Sequence, residues 1–131
     1  MTTVLIVDDE PSTRRAIRGF FERAGFGVEE AGSATAALER VRRGGLPDAI
    51  VSDVLMPEVN GLVFYDRLVE VAPGLAERVV FLTGASQDPR VHGQIEQRGV
   101  PLLSKADDLR LVVDAVRVAL LRGPGPIAPR G

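Results

Sequence analysis

Three carboxylates, two hydroxyls and one ammonium follow directly on four short apolar runs of this chain. Asp8 and Asp9 come after "VLIV" (4–7) and Asp53 after "AIVS" (49–52). Thr83 follows "VVFL" (79–82), and Ser104 and Lys105 follow "VPLL" (100–103). Lys105 is the single lysine in a Lys+Arg total of 16. An ammonium is a compact point charge on a flexible stem, suited to one oxygen of an anion, whereas the arginine fork is suited to bidentate pairing. Three crowded carboxylates raise one another's pKa unless a cation shares their site. A hard, oxygen-only donor set suits Mg²⁺ completed by a phosphate. In such a site Asp53 is the spare nucleophile, and Thr83 and Lys105 are donors to the oxygens of a transferred phosphoryl group.

That chemistry requires chain-distant segments to converge, and the runs before them are the means. Their apolar residues are contiguous, as in parallel strands covered on both faces by helices, and a weaker run, "VEEA" (28–31), makes a fifth. Helical spacing recurs between the runs: Ile17, Phe21 and Ala24; Ala34, Ala37, Leu38 and Val41; Leu62, Tyr65, Val69 and Ala72; Leu109, Val112, Val113, Val116 and Leu120. Segment 88–98 offers only Val91 and Ile95, so its helix is expected to be the least firmly held. Five strand–helix units predict an α/β fold, with the chemistry at the carboxyl ends of the strands, where open parallel sheets bind ligands. Gly32-Ser33, Gly44-Gly45 and Pro73-Gly74 punctuate the connections. One domain is expected over 1–121, with 122–131 a Gly/Pro-rich tail or linker.

Composition narrows the setting. At 131 residues the chain suits a single core, and a net charge of -2 provides no basic footprint for nucleic acid. There is no cysteine, which excludes disulfides and thiolate metal sites. No apolar run approaches the roughly 20 residues of a membrane helix. The start "MTTVLIVDDE" lacks the basic region of a signal peptide, so a cytoplasmic location is expected.

The stretches "VLIVDDE", "PDAIVSDVLMPEVNG", "VVFLTGAS" and "LLSK" together resemble a response-regulator receiver domain of the chemotaxis-regulator type, over nearly all of residues 3–121. Asp53 followed by Met56-Pro57 and Asn60-Gly61 is the most specific part of that likeness. The resemblance implies a flavodoxin-like, doubly wound, five-stranded parallel sheet in order 2-1-3-4-5. It implies that Asp8 and Asp9 hold Mg²⁺ together with Asp53 and the Leu55 carbonyl. Asp53 would take a phosphoryl group from a phosphohistidine, with Thr83 and Lys105 as the contacting switch residues. The implied partners are a sensor histidine kinase or phosphotransfer protein, and a second copy in a weak homodimer. The implied role is signalling rather than enzymatic turnover, and Leu55 and Ala85 occupy positions that influence hydrolysis in the family.

Residue by residue, plainer readings exist. Asp8-Asp9 also reads as a turn and helix cap, with Ser12 as the alternative cap. Asn60-Gly61 reads as a turn, Met56 as packing, and His92 as an exposed structural residue. Two positions depart from the family pattern. Ala106 stands where proline usually follows the lysine in a cis bond, so a trans or locally rebuilt bond is expected there. Leu102 stands at an aromatic switch position, so switching is expected without aromatic rotation. Three alternatives accompany the phosphoacceptor reading. One is a pseudo-receiver that keeps the fold and serves as an interaction module. Another is an aspartyl-nucleophile Mg²⁺ phosphatase of the haloacid dehalogenase class, whose Asp-x-Asp differs from the adjacent pair here. The third concerns context, the receiver of a hybrid sensor kinase rather than a free-standing one.

Overall fold

The computed structural model describes residues 1–57, 59–84 and 89–122. Five strands, β1 (Thr3–Val7), β2 (Gly27–Ala31), β3 (Ala49–Asp53), β4 (Val79–Thr83) and β5 (Leu102–Ser104), form one parallel sheet in the order β2-β1-β3-β4-β5. The helices are α1 (Pro11–Arg23), α2 (Ala34–Arg42), α3 (Gly61–Val71), the single turn α4 (Pro73–Ala76), α5 (Pro89–Arg98) and α6 (Leu109–Arg122). This is the doubly wound, flavodoxin-like α/β class expected.

Alternate residues of each central strand face opposite layers. Leu5, Val7, Ile50, Val79 and Phe81 pack with α2, α3 and Ile95 of α5. Val4, Ile6, Val51, Val80 and Leu82 pack with Ile17 and Phe21 of α1 and Val112 and Val116 of α6. Each large apolar side chain buried this way contributes about 1.5–3 kcal/mol, so the three central strands anchor the molecule. The outer strands differ from the reading of "VPLL" as doubly buried. β5 begins two residues later than expected, and its three residues are half-buried, as on a sheet edge. Pro101 has no N–H to give the ladder, although its carbonyl accepts from Phe81 N at 2.9 Å.

Local chemistry sets the helix ends. Pro11 opens α1 behind Glu10, which makes no side-chain cap, so neither Asp nor Ser12 caps this helix by the N-cap route. Ser33 caps α2 by accepting from Ala36 N, and Asn60 caps α3 by accepting from Val63 N, both at 3.0 Å. The α3 face differs from the expected stripe. Gly61, Phe64 and Leu68 are buried, whereas Val69 is 42% exposed. The helix is apolar nearly all round, so spacing alone does not select a face. Gly61 does: a Cβ there would lie 2.6 Å from the Asp53 carbonyl oxygen and 2.9 Å from Val54 Cα. That approach fixes the rotation of α3 and points Phe64 and Leu68 inward. Pro73-Gly74, read as a connection, forms the turn α4, and α6 runs one residue past the expected boundary, through Arg122. The rest of the tail, 123–131, lies outside the described residues, as do Ala85 and the first residue of segment 88–98.

Candidate phosphoacceptor site

Strand register brings the predicted residues together. Val7 is aligned with Ser52, Asp53 with Leu82, and Thr83 with Ser104. The residues just beyond β1 and β5, and those ending β3 and β4, therefore form one rim in the order Asp8, Asp53, Thr83, Lys105. Asp8 and Asp53 are buried, and Asp9 is exposed. One carboxylate oxygen from each of the three lies within 4.8 Å of the others.

Lys105 reaches back across the end of β4 to both buried acids. Its Nζ is 2.8 Å from Asp8 Oδ2 and 3.2 Å from Asp53 Oδ2. The stem passes Gly84, where a Cβ would stand 3.2 Å from Lys105 Cδ. Lys105 N donates to the Thr83 carbonyl at 2.9 Å, which extends the β4–β5 pairing up to the lysine. Asp53 Oδ1 accepts from Leu55 N at 3.3 Å, and Asp8 Oδ1 from Glu10 N at 2.8 Å. Asp8 thus closes the loop after β1, as its turn reading has it, without capping α1, and it also faces the rim beside Lys105.

The electrostatics follow from burial. Burial, supported by the neighbouring Asp8 charge, pushes the Asp53 carboxyl above its usual range against the pull of Lys105. Burial works against the charged form of Lys105, but the bond to Asp8 and the two carboxylate charges outweigh it and raise its pKa. A charged lysine beside a partly uncompensated acid is an arrangement that gains from a second cation or from a transferred anion.

The donor set fits Mg²⁺. Three carboxylates each offer one oxygen within 4.8 Å of the others, an all-oxygen set of the kind this hard cation takes. The Leu55 residue that would offer a carbonyl is 53% exposed, next to Asp53.

The Lys105-Ala106 bond is trans, one of the two outcomes expected from the absent proline. Among the described residues no peptide bond is cis. Ser104 N donates to Asp107 Oδ2 at 3.0 Å, Asp107 N to the Ser104 carbonyl at 2.9 Å, and Ala106 N to Ser104 Oγ at 3.0 Å. Asp107 closes this turn from within. Leu102 is half-buried against the α2–α3 core layer.

Sequence reasoning named the acids, the hydroxyl and the lysine, and Asn60-Gly61 as a turn, but it missed the packing role of Gly61 and did not single out Gly84; the two glycines make room for Asp53 and Lys105. Their signal lay in position, one glycine after the Asn60 cap and one beside Thr83. His92 is exposed, and Met56 is buried, both as read.

Comparison with known proteins agrees with the fold. The family model for the response regulator receiver domain matches residues 4–117. The chain is 40% identical over 82 residues to response regulator Rre1 of Synechocystis sp., a match covering 62% of this chain and 35% of that protein. It is 33% identical over 125 residues to protein-glutamate methylesterase/protein-glutamine glutaminase 1 of Anaeromyxobacter dehalogenans, covering 88% of this chain and 35% of that one. The chain spans about a third of the length of these curated relatives. The signal receiver domain of a signal transduction histidine kinase from Syntrophus aciditrophicus superimposes with a TM-score of 0.80 at 27% identity, over 93% of this chain and 92% of that one.

Proposed function

This chain belongs to the response-regulator receiver family of two-component signalling, and from that premise we propose that Asp53 is its phosphoacceptor. The observation that carries the proposal is the Lys105 ammonium bridging the buried Asp8 and Asp53 carboxylates across the strand ends. An Asp53 oxygen attacks the phosphorus of a phosphohistidine on a sensor kinase or phosphotransfer protein. The P–O bond forms as the P–N bond breaks, and the electron pair returns to the imidazole. Lys105 then trades its carboxylate contact for one to a new phosphoryl oxygen, and Thr83 supplies a hydroxyl to another. Asp8, Asp9 and Asp53, with the Leu55 carbonyl, are the residues that would hold Mg²⁺, which when bound neutralises the charge gathering on the phosphoryl oxygens.

An open groove lined by Ser12, Thr13, Ala16, Ile17, Lys105 and Leu109 reaches from α1 to this rim, and it suits a donor helix presenting its histidine. Placement within a hybrid kinase is supported by the likeness to the Syntrophus receiver and by the non-aromatic Leu102. Self-association as a weak homodimer belongs to the same proposal. No helix among the described residues is long and apolar enough to cross a membrane.

Incubation with Mg²⁺ and acetyl phosphate tests the reading by intact mass. One phosphoryl group is expected on wild type and none on Asp53→Ala. Equal labelling of both proteins would move the acceptor off Asp53, and none on wild type would leave the pseudo-receiver reading in its place.

A further inference from the structure

Arg14 lies in the first turn of α1, outside the site as read from the sequence, and its guanidinium joins two other elements. Nη1 donates to the Asp8 carbonyl oxygen at 2.6 Å, and Nε to Glu30 Oε1 on β2 at 2.8 Å. Glu30 is held from its other side by Arg18 Nη1 at 2.7 Å, and Arg18 Nε reaches Glu22 at 2.9 Å. The fork is therefore anchored on the sheet edge, with one arm extended onto the acidic loop.

The Asp8 carbonyl belongs to the peptide plane that joins Asp8 to Asp9. Asp8 is already fixed by its N–H on the Ala31 carbonyl at 3.2 Å, by Glu10 N and by Lys105. Asp9 is different: it is exposed, and no hydrogen bond or ion pair fixes its carboxylate among the described residues. Its placement within 4.8 Å of the other two acids depends on the backbone that carries it. We propose that Arg14 is a positioning residue, holding the Asp8–Asp9 peptide so that the Asp9 carboxylate is preset for a divalent cation. The inference rests on the Mg²⁺ reading above and adds a residue to it. Residues that orient metal ligands in this way typically change affinity by about 10–100-fold when removed.

Charge and position predict opposite signs, which makes the role testable. As a bystander cation near three carboxylates, Arg14 would weaken Mg²⁺ binding, and its removal would tighten it. As a clamp, its removal loosens binding. Calorimetric titration of the full chain with MgCl₂ is expected to show about tenfold weaker binding in Arg14→Ala. Glu30→Ala, which releases the Arg14 fork and Arg18 but leaves both guanidinium groups in place, is expected to weaken binding in the same direction by less, and the double variant to be no worse than Arg14→Ala. In metal-free protein the Glu10 amide, which donates to Asp8, should exchange faster in both variants. Unchanged or tighter Mg²⁺ binding in folded Arg14→Ala, or unaltered Glu10 exchange, would overturn the clamp. Should Arg14→Ala fail to fold, Glu30→Ala decides by the same two readouts. Absence of Mg²⁺ binding by wild type would remove the metal reading itself, a result distinct from binding that Arg14→Ala leaves intact.

Discussion

The Lys105 ammonium lies closer to the Asp8 carboxylate, at 2.8 Å, than to that of Asp53, at 3.2 Å. The side chain proposed to meet a phosphoryl group on Asp53 thus rests first on the loop acid. A Mg²⁺ ion held as proposed would have to compete with it for Asp8. Asp9→Ala is therefore expected to weaken Mg²⁺ binding by about tenfold, or about 1.4 kcal/mol, whereas Lys105→Ala leaves it unchanged or tighter. Calorimetry on the two variants checks this, and a comparable loss in both would contradict the assignment.

Lys105→Arg keeps the charge and changes its shape. Folding and Mg²⁺ binding are expected to stay near those of wild type, but a planar fork does not reproduce a point contact beside Gly84, where the stem has little room. NMR shifts on adding beryllofluoride should be large around Thr83 in wild type and much reduced in the variant. Changes of equal size in both proteins would show that charge alone suffices.

Gly61→Ala places a methyl group 2.6 Å from the Asp53 carbonyl oxygen. A cost of about 2–3 kcal/mol is expected in urea unfolding, with slower phosphorylation because the end of β3 must shift. Gly93→Ala is the control. Nothing lies within 4 Å of a Cβ there, and it sits inside α5, so a gain of about 0.5–1 kcal/mol is expected. Equal effects of the two substitutions would remove the packing role given to Gly61.

The raised pKa of Asp53 has a sign that unfolding measures. Burial, with the Asp8 charge, holds its folded pKa above the ordinary 3.8. Ionised Asp53 therefore opposes folding at neutral pH, and this cost fades as pH falls through the folded value. Without divalent cations, Asp53→Asn is expected to be more stable than wild type at pH 7, with the gap closing toward pH 4. Glu30 and Asp66, whose carboxyls are lowered by arginine hydrogen bonds, lose stability on acidification in both proteins and cancel in the comparison. A gap that is constant or widens in acid would contradict the assigned direction.

Contiguous apolar runs were legible because β1, β3 and β4 are covered on both faces, which leaves no polar alternation to confuse them. β5 was misplaced by two residues because Val100 is buried like a strand residue while Pro101 supplies only an acceptor. The α3 face was unreadable from spacing, since Val63, Phe64, Tyr65, Leu68 and Val69 surround that helix. Only the three-dimensional contact at Gly61 selects among them. The candidate acids were legible because the Asp8-Asp9 pair and Asp53 stand at the ends of strong runs. Arg14 was not, because its partners, the Asp8 carbonyl and Glu30, meet only when β1 and β2 lie side by side.

The strand order also has a consequence for synthesis. β1 emerges first and β2 pairs with one of its sides, but its other side waits for residues 49–53. At about 5–20 residues per second, Val4, Leu5, Ile6 and Val7 flank an open edge for several seconds of translation. Such an edge is a template for pairing with a neighbouring nascent chain, and charges at its end discourage that. Asp8, Asp9 and Glu10 provide them. A fragment ending at residue 48 is expected to aggregate, and to do so faster when those three acids are replaced by Ser, as light scattering would record.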